Sequence, residues 1–198
     1  ALKQFQALGC HIATEAEKAK LEKLLFGATA FTDACQAARL NPKIVGQSAH
    51  DIAHQAGFEV PEGTQAILAQ CTEVSYLEPL TREKLSPVLA VLTANDANQG
   101  IELAAQMVEQ DGLGHTAAIH CRNQDVIAKF GNRVRAVRLV ENAPTSQGAI
   151  GGLFNSFIPS LTLGCGSYGH NSVSNNVSAV NLINIKRLGR RNTVISPF

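Results

Sequence analysis

Short apolar runs alternate with segments of helical periodicity through the middle of this chain, and this alternation constrains the fold most. The runs Val88–Leu92, His115–Cys121 and Val134–Val140 have the length and composition of buried strands. Between the first two, apolar residues recur at helical spacing from Ile101 to Val108, which predicts an amphipathic helix capped at Asn95. Strands and helices that alternate in this way predict βαβ units and a largely parallel sheet. The fold class is therefore α/β.

Capping signals and periodicity predict further elements. Thr14 and Glu17 have the spacing of a capping box, which predicts a helix that ends near Phe26. Two more helices are predicted, over Ala49–Ala56 and around Asp125–Phe130. Additional short strands are predicted over Lys43–Gly46, Ala66–Ala69 and Val74–Tyr76.

The segment after Asn142 has a different texture, because it is rich in glycine, serine and asparagine. We predict loops up to about Asn176. Leu182–Leu188 then alternates apolar and polar residues like a strand with one exposed face. Such a late strand is expected to pair outside its own core.

Length and charge exclude several classes of protein. A chain of 198 residues with 45% apolar residues is long enough for one substantial core, so one domain is expected. The formal net charge is +1 and the basic residues are dispersed, so no nucleic-acid partner is predicted. The apolar runs are shorter than the roughly 20 residues that a membrane helix needs, so no membrane partner is predicted either.

The cysteines and the first residues indicate the protein's setting. Five cysteines, odd in number and irregularly spaced, suit reduced thiols and a cytoplasmic location better than a disulfide framework. Residues 1–5 have the pattern of the middle of an amphipathic helix, with no capping residue before them. We therefore expect the natural beginning of the protein to be missing.

Gly164–Gly169 matches the letters of the dinucleotide fingerprint G-x-G-x-x-G. That fingerprint needs a following helix, whose N-terminus meets the pyrophosphate. His170–Asn176 is a poor helix, so a tight glycine-rich loop is the favoured interpretation.

His50 and His54 stand one helical turn apart, which is a spacing that zinc proteases use. The residue beside the first histidine is an aspartate instead of the glutamate of those enzymes, and no third ligand stands out. We therefore predict two solvated histidines and no metal site.

Cys165 is the cysteine most clearly placed in a loop, and it invites interpretation as a nucleophile. A nucleophilic thiol needs a lowered pKa, and only His170 is near enough in sequence to lower it. Both interpretations of Cys165, as a reacting thiol and as a loop residue, remain open on this ground alone.

Four stretches of the sequence carry distinctive motifs. They are Glu78–Pro87, Gly112–Thr116, Asn142–Gly151 and Pro159–Gly169. Together, and in this order, they resemble the aldehyde dehydrogenase superfamily, specifically its CoA-acylating branch in bifunctional acetaldehyde/alcohol dehydrogenases. The resemblance implies a three-layer catalytic domain with a largely parallel sheet over residues 1–180. Residues 181–198 would form a C-terminal oligomerisation strand and tail.

The resemblance also implies an activity. It is the NAD-dependent, CoA-acylating oxidation of a short aldehyde, such as acetaldehyde, to acyl-CoA through a cysteine thioester in a homo-oligomer. The nucleophilic cysteine would lie upstream of Ala1, and Cys165 would match a loop cysteine, so the chain alone is predicted to be inactive. The alternatives are an inactive structural or oligomerisation module of the same fold, or an enzyme for succinate semialdehyde or sulfoacetaldehyde.

The resemblance assigns roles to individual residues. Glu83 would hydrogen-bond the nicotinamide ribose, and Leu85 would lie against the nicotinamide. His115 would be an auxiliary residue for CoA entry or proton transfer. His170 departs from the Gly-Gly-Asn of this branch, which leaves the size of the acyl pocket open. The walls of the aldehyde and thioester pocket would include Asn142, Ser146, Gln147, Gly164, Cys165 and Gly166.

Overall fold

The computed structural model describes residues 1–27, 39–161 and 164–192. The helices in these ranges are α1 (Leu2–Ala7), α2 (Glu15–Phe26), α3 (Ala49–Ala56), α4 (Ala97–Asp111), α5 (Gln124–Arg133) and α6 (Thr145–Ile150). The strands are β1 (His11–Ile12), β2 (Ile67–Gln70), β3 (Val88–Val91), β4 (Gly114–Ile119) and β5 (Ala136–Glu141). None of the helices in the described ranges is long and apolar enough to span a bilayer.

Every described strand pairs in parallel, which confirms the α/β class. The order of one sheet is β1-β2-β3, with Leu68 opposite both Ile12 and Leu89. The other sheet consists of β4 and β5, with Thr116 opposite Arg138. The described strands thus form two parallel sheets, whereas the sequence predicted one. The prediction could not separate them, because periodicity identifies strands but not their pairing partners.

The first sheet and helices α2 and α3 enclose one hydrophobic core. The capping box begins α2 as predicted, with Glu17 N donating to the Thr14 hydroxyl over 3.3 Å and Thr14 N donating to Glu17 over 2.8 Å. Leu21, Leu25 and Ile52 are then fully buried against the sheet. Burial of such a side chain contributes about 1.5 to 3 kcal/mol, so this core holds the first half together.

A second core lies between β4, β5 and helices α4 and α5. Ile101 and Ala105 of α4 pack with Phe130 of α5, as the helical spacing predicted. Arg133 of α5 bridges Glu102 and Glu109 of α4 on the surface above this core. The two helices are thereby fixed over the smaller sheet.

Two predicted strands are wrong. Lys43 and Ile44 belong to the 3₁₀ helix Pro42–Ile44, because Asn41 caps Lys43 N and Pro42 favours a helical start, and Val45 and Gly46 form the turn that follows it. The segment Val74–Tyr76 is irregular, and the Ser75 hydroxyl accepts from Leu77 N over 3.2 Å to form a local turn.

The described part of the C-terminal segment, residues 179–192, forms no strand. Ala179–Leu182 is a 3₁₀ helix, and residues 183–192 are exposed without regular secondary structure. A strand needs a partner for its backbone groups, so pairing of Leu182–Leu188 with another subunit stays a prediction. Residues 193–198, the end of the expected tail, lie outside the described residues.

Candidate functional site

Glu83 lies on a loop between a 3₁₀ turn and β3. Pro79 starts the turn Pro79–Thr81, and the Thr81 hydroxyl donates to the Glu78 carbonyl over 2.7 Å. Both Pro79 and Thr81 are buried, so the turn is packed into the protein. Glu83 itself is exposed. A buried turn thus precedes and supports an accessible carboxylate.

Asp111, at the end of α4, fixes the backbone of this loop. Its carboxylate accepts from Arg82 Nε over 3.0 Å and Nη2 over 3.3 Å, and from Glu83 N over 3.1 Å. Two parallel hydrogen bonds between a guanidinium and a carboxylate fix the relative orientation of the two groups as well as attracting them. The first half of the chain is therefore joined to α4 immediately beside Glu83.

Glu83 and His115 line the same cavity of about 300 Å³. His115 is the second residue of β4 and is exposed, and its Nδ1 lies 3.0 Å from the Thr116 hydroxyl oxygen. The remaining walls are Thr81, Arg82, Met107, Val108, Asp111, Gly112 and Thr116. The structure thus brings together the two polar residues that the sequence selected.

Leu85 follows on the same loop but does not line that cavity. Its φ of 47° is in the left-handed region, which is rare for a bulky residue. Its side chain is exposed, with a relative accessibility of 57%, and its carbonyl accepts from Gly46 N over 3.3 Å. The loop therefore holds an apolar side chain outward in a strained conformation.

The predicted pocket residues Asn142, Ser146 and Gln147 lie at the other end of β4 and β5. Asn142 has a φ of 49°, and its side chain accepts from Cys121 N over 2.9 Å and donates to Cys121 O over 2.8 Å. It therefore joins the ends of β4 and β5. Ser146 and Gln147 are exposed on α6. The cavity with Glu83 and His115 contains none of the three.

Cys165 packs against the beginning of β4, and its neighbours Gly164 and Gly166 approach Val173 and Ser174. A Cβ atom on Gly114 would lie 2.5 Å from the Cys165 carbonyl oxygen and 2.9 Å from Cys165 Cβ. Gly166 N donates to Val173 O over 2.8 Å, which closes the loop. The loop thus lies beside the backbone position that precedes His115.

The segment after this loop excludes a dinucleotide fingerprint. Ser167–Gly169 is a single 3₁₀ turn, and His170 follows it with a φ of 58°. No α-helix N-terminus is therefore available at this point to meet a pyrophosphate. The prediction of a tight glycine-rich loop is confirmed.

A buried ionic cluster beneath the Glu83 loop was missed by the sequence analysis. Lys18 Nζ lies 2.6 Å from Glu78 Oε2, and Glu22 is buried one turn further along α2. The other Glu78 oxygen, Oε1, is buried without a hydrogen-bond partner among the described residues. A protonated Glu22 would supply the missing donor. The detectable signal was the pair Lys18 and Glu22 beside the apolar stripe of α2.

Burial shifts the titration of three groups in and beside this cluster. Burial, aided by the nearby Glu78 carboxylate, raises the pKa of Glu22 to about 7. Burial likewise raises the pKa of the Cys71 thiol to about 12, so this thiol is no nucleophile near neutral pH. Burial lowers the pKa of Lys84 to about 8, against the attraction of Asp111 and Glu83.

Comparison with known proteins shows what the whole chain is similar to. No protein-family model matches the chain. It is 53% identical over 188 residues to the aldehyde-alcohol dehydrogenase of Streptococcus pneumoniae, covering 95% of this chain and 21% of that protein. The chain is homologous to a segment of the aldehyde-alcohol dehydrogenases. Aldehyde-alcohol dehydrogenase 2 of Entamoeba histolytica is 50% identical over 194 residues, covering 98% of this chain and 22% of that protein.

Solved structures agree with this homology. The acetylating aldehyde dehydrogenase of Geobacillus thermoglucosidasius superposes with a TM-score of 0.81 at 33% identity, covering 96% of this chain and 41% of that chain. The chain therefore has the fold of part of an acylating aldehyde dehydrogenase. It spans about a fifth of the length of the two aldehyde-alcohol dehydrogenases.

Proposed function

We propose that the chain is the C-terminal catalytic part of a NAD-dependent, CoA-acylating aldehyde dehydrogenase that acts on a short aldehyde such as acetaldehyde. The observation that carries the proposal is the shared cavity of Glu83 and His115. The homology to aldehyde-alcohol dehydrogenases supports the same reaction class. By the intact enzyme we mean these residues together with a nicotinamide-binding domain and a nucleophilic cysteine.

Glu83 suits the ribose of NAD. Its carboxylate is exposed, while Asp111 holds its backbone amide at 3.1 Å. A carboxylate fixed in this way accepts from two neighbouring ribose hydroxyls and orients the attached ring. NAD, when bound, would accept the hydride that comes from the aldehyde. Leu85, apolar and held outward, offers a contact for the nicotinamide face.

His115 suits the handling of a proton near CoA. An exposed imidazole in the lining of a cavity can accept a proton from a thiol. The loop that contains Cys165 packs beside Gly114, the residue before this histidine, but it is not part of the lining of the Glu83 cavity. His115 would act as the auxiliary base when the acyl group moves from the cysteine to CoA.

The reaction in the intact enzyme would have four steps. A thiolate would attack the aldehyde carbonyl, and the adduct would lose a hydride to bound NAD to leave a cysteine thioester. The thiolate of CoA would then take the acyl group and release the cysteine thiolate. The nucleophile is assigned outside this chain, and Cys165 is assigned to the pocket wall. Asn142, Ser146 and Gln147 would border the acyl pocket only if the completed site extends to their end of the sheet.

Two alternatives concern substrate and activity. Relatives with 39% and 35% identity are named succinate-semialdehyde dehydrogenase (acetylating) and sulfoacetaldehyde dehydrogenase, so the aldehyde could be either of theirs. A module that serves only assembly would keep the fold but not the cavity residues. The presence of Glu83 and His115 in one cavity favours the enzyme.

Location and assembly form part of the proposal. The cysteines Cys10, Cys71, Cys121 and Cys165 are free thiols, which suits the reducing cytoplasm. The exposed apolar residues Leu182, Ile183, Ile185 and Leu188 suit burial in a homo-oligomer.

The test is CoA-dependent formation of NADH from acetaldehyde by the intact enzyme and by its His115→Ala and Glu83→Gln variants. We expect activity in the unchanged enzyme and a fall of roughly tenfold or more in each variant. Full activity in both variants would contradict the proposed site. The 198-residue chain alone is expected to show no activity.

A further inference from the structure

Lys84 is a buried lysine inside the loop that carries Glu83. Its relative accessibility is 8%, although its neighbour Glu83 is exposed. Lysine is almost never buried without a partner. Lys84 therefore requires an explanation from its contacts.

The ammonium of Lys84 donates hydrogen bonds to the backbone of its own loop. Its Nζ donates to the Leu80 carbonyl and, over 2.7 Å, to the Arg82 carbonyl. In the part of the chain that the structure describes, no carboxylate forms an ion pair with it. The side chain thus binds the carbonyls of two of the three residues that precede Glu83.

The same loop is held from two other directions. Lys18 binds Glu78 at the beginning of the turn, and Asp111 binds the backbone of Glu83 from α4. Lys84 completes these contacts from beneath. With both neighbours of its peptide fixed, Glu83 has little backbone freedom left.

Stability alone does not explain this lysine. Burial lowers the pKa of Lys84 to about 8, which shows that the buried cation is disfavoured where it lies. An apolar side chain of similar size usually serves a core as well as a buried charge does. Fixed direction of the loop is the property that a lysine supplies and an apolar residue does not.

We propose that Lys84 is a positioning residue, which directs the Glu83 carboxylate toward the nicotinamide ribose by tying the Leu80 and Arg82 carbonyls beneath the loop. The inference rests on the proposed role of Glu83. It makes Lys84 act through Glu83 and not on the substrate.

The experiment is a double-mutant cycle in the intact enzyme with Lys84→Met, Glu83→Gln and the double variant. Lys84→Met is expected to lower kcat roughly tenfold, and the KM for acetaldehyde should change by less than about twofold. The isotope effect from [1-²H]acetaldehyde should rise, because a misdirected nicotinamide slows hydride transfer. When Glu83 is already Gln, adding Lys84→Met should lower kcat by less than about twofold.

Leu21→Ala is the matched control for lost stability, because Leu21 is fully buried in the first core and its side chain has no polar group that could bind the loop. It should lower Tm without raising the isotope effect. If Lys84→Met does not fold, Lys84→Gln keeps a neutral donor and should give a smaller loss of the same kind.

The outcomes separate the two proposals. A normal kcat in Glu83→Gln would remove the proposed site itself. A reduced kcat in Glu83→Gln with a normal kcat in Lys84→Met would overturn only the inference about Lys84. Losses that multiply in the double variant would also overturn it, because they would show that Lys84 acts independently of Glu83.

Discussion

Glu83 shows how a single carboxylate can be accessible and yet fixed. Its side chain is exposed, but its amide donates to Asp111 and its two neighbours in sequence are tied by Asp111 and by backbone carbonyls. Leu85 next to it keeps a φ of 47°. Such conformations cost about 1 to 3 kcal/mol and persist where the surroundings impose them. An exposed carboxylate on a fixed and strained backbone is typical of a binding or catalytic site.

Glu83→Gln in the intact enzyme should lower kcat more than it raises the KM for acetaldehyde. The amide would keep the shape of the side chain, but an NH2 donor would replace one of the two oxygens that accept from the ribose hydroxyls, so hydride transfer suffers most. We expect a fall in kcat of about tenfold. Steady-state kinetics with saturating CoA measure it, and an unchanged turnover number would remove Glu83 from the site.

The elements meet where β4 begins, because the Gly164–Gly166 loop approaches its first residue closely. Gly114 has a φ of 81°, and a side chain there would contact the carbonyl of Cys165. The contact places the loop beside the backbone of His115. The glycine is therefore a packing requirement between two elements.

Gly114→Ala should destabilise the chain by about 2 kcal/mol or more, through backbone strain and displacement of the Cys165 loop. Gly46→Ala is the matched control, because Gly46 has a φ of 75° but open space around the added Cβ. Gly46→Ala should lower the free energy of unfolding by about 1 kcal/mol, through backbone strain alone. Urea unfolding of both variants measures the difference, and equal losses would show that the close approach is unimportant.

Helix α2 contributes a dependence of stability on pH through Glu22. The raised pKa of about 7 lies above the ordinary 4.5, so this group's stabilising contribution is present below pH 4.5 and is lost as pH rises through about 7. Glu22→Gln mimics the protonated form permanently. It should therefore be more stable than the wild type at pH 9, by on the order of 1 kcal/mol, and about equal to it at pH 4.5.

Urea unfolding from pH 4.5 to pH 9 tests this prediction for Glu22. Glu59→Gln, at an exposed position, is the matched control and should follow the wild type throughout. A constant difference between Glu22→Gln and the wild type at all pH values would show that folding does not raise the pKa of Glu22.

The whole molecule consists of two parallel sheets, each with its own core, joined beside the proposed site. Arg82 from the first half binds Asp111 from the second, and Thr81 contacts Gln110 over 3.2 Å. The C-terminal residues 183–192 are exposed and pair with neither sheet. At this scale the chain has an unpartnered apolar segment, which we expect another subunit to cover.

Deletion of Asn181 onward from the intact enzyme should reduce its mass in solution. The alternating segment Leu182–Leu188 would lose its pairing with a partner subunit, and an exposed strand of this kind is stable only when paired. Light scattering coupled to gel filtration measures the mass. An oligomer of undiminished size would contradict the proposed role of this segment.

The sequence by itself determined the α/β class, the capping of α2 and the helices α3 to α5, because these depend on local spacing and caps. Its motifs also selected Glu83 and His115. Only the tertiary structure decided that these two residues share a cavity, that the strands divide into two sheets, and that Lys43–Gly46 turns instead of extending. It also decided that Lys84 is buried while Glu83 is exposed. The physical reason is that burial and pairing depend on partners distant in sequence, which local patterns do not encode.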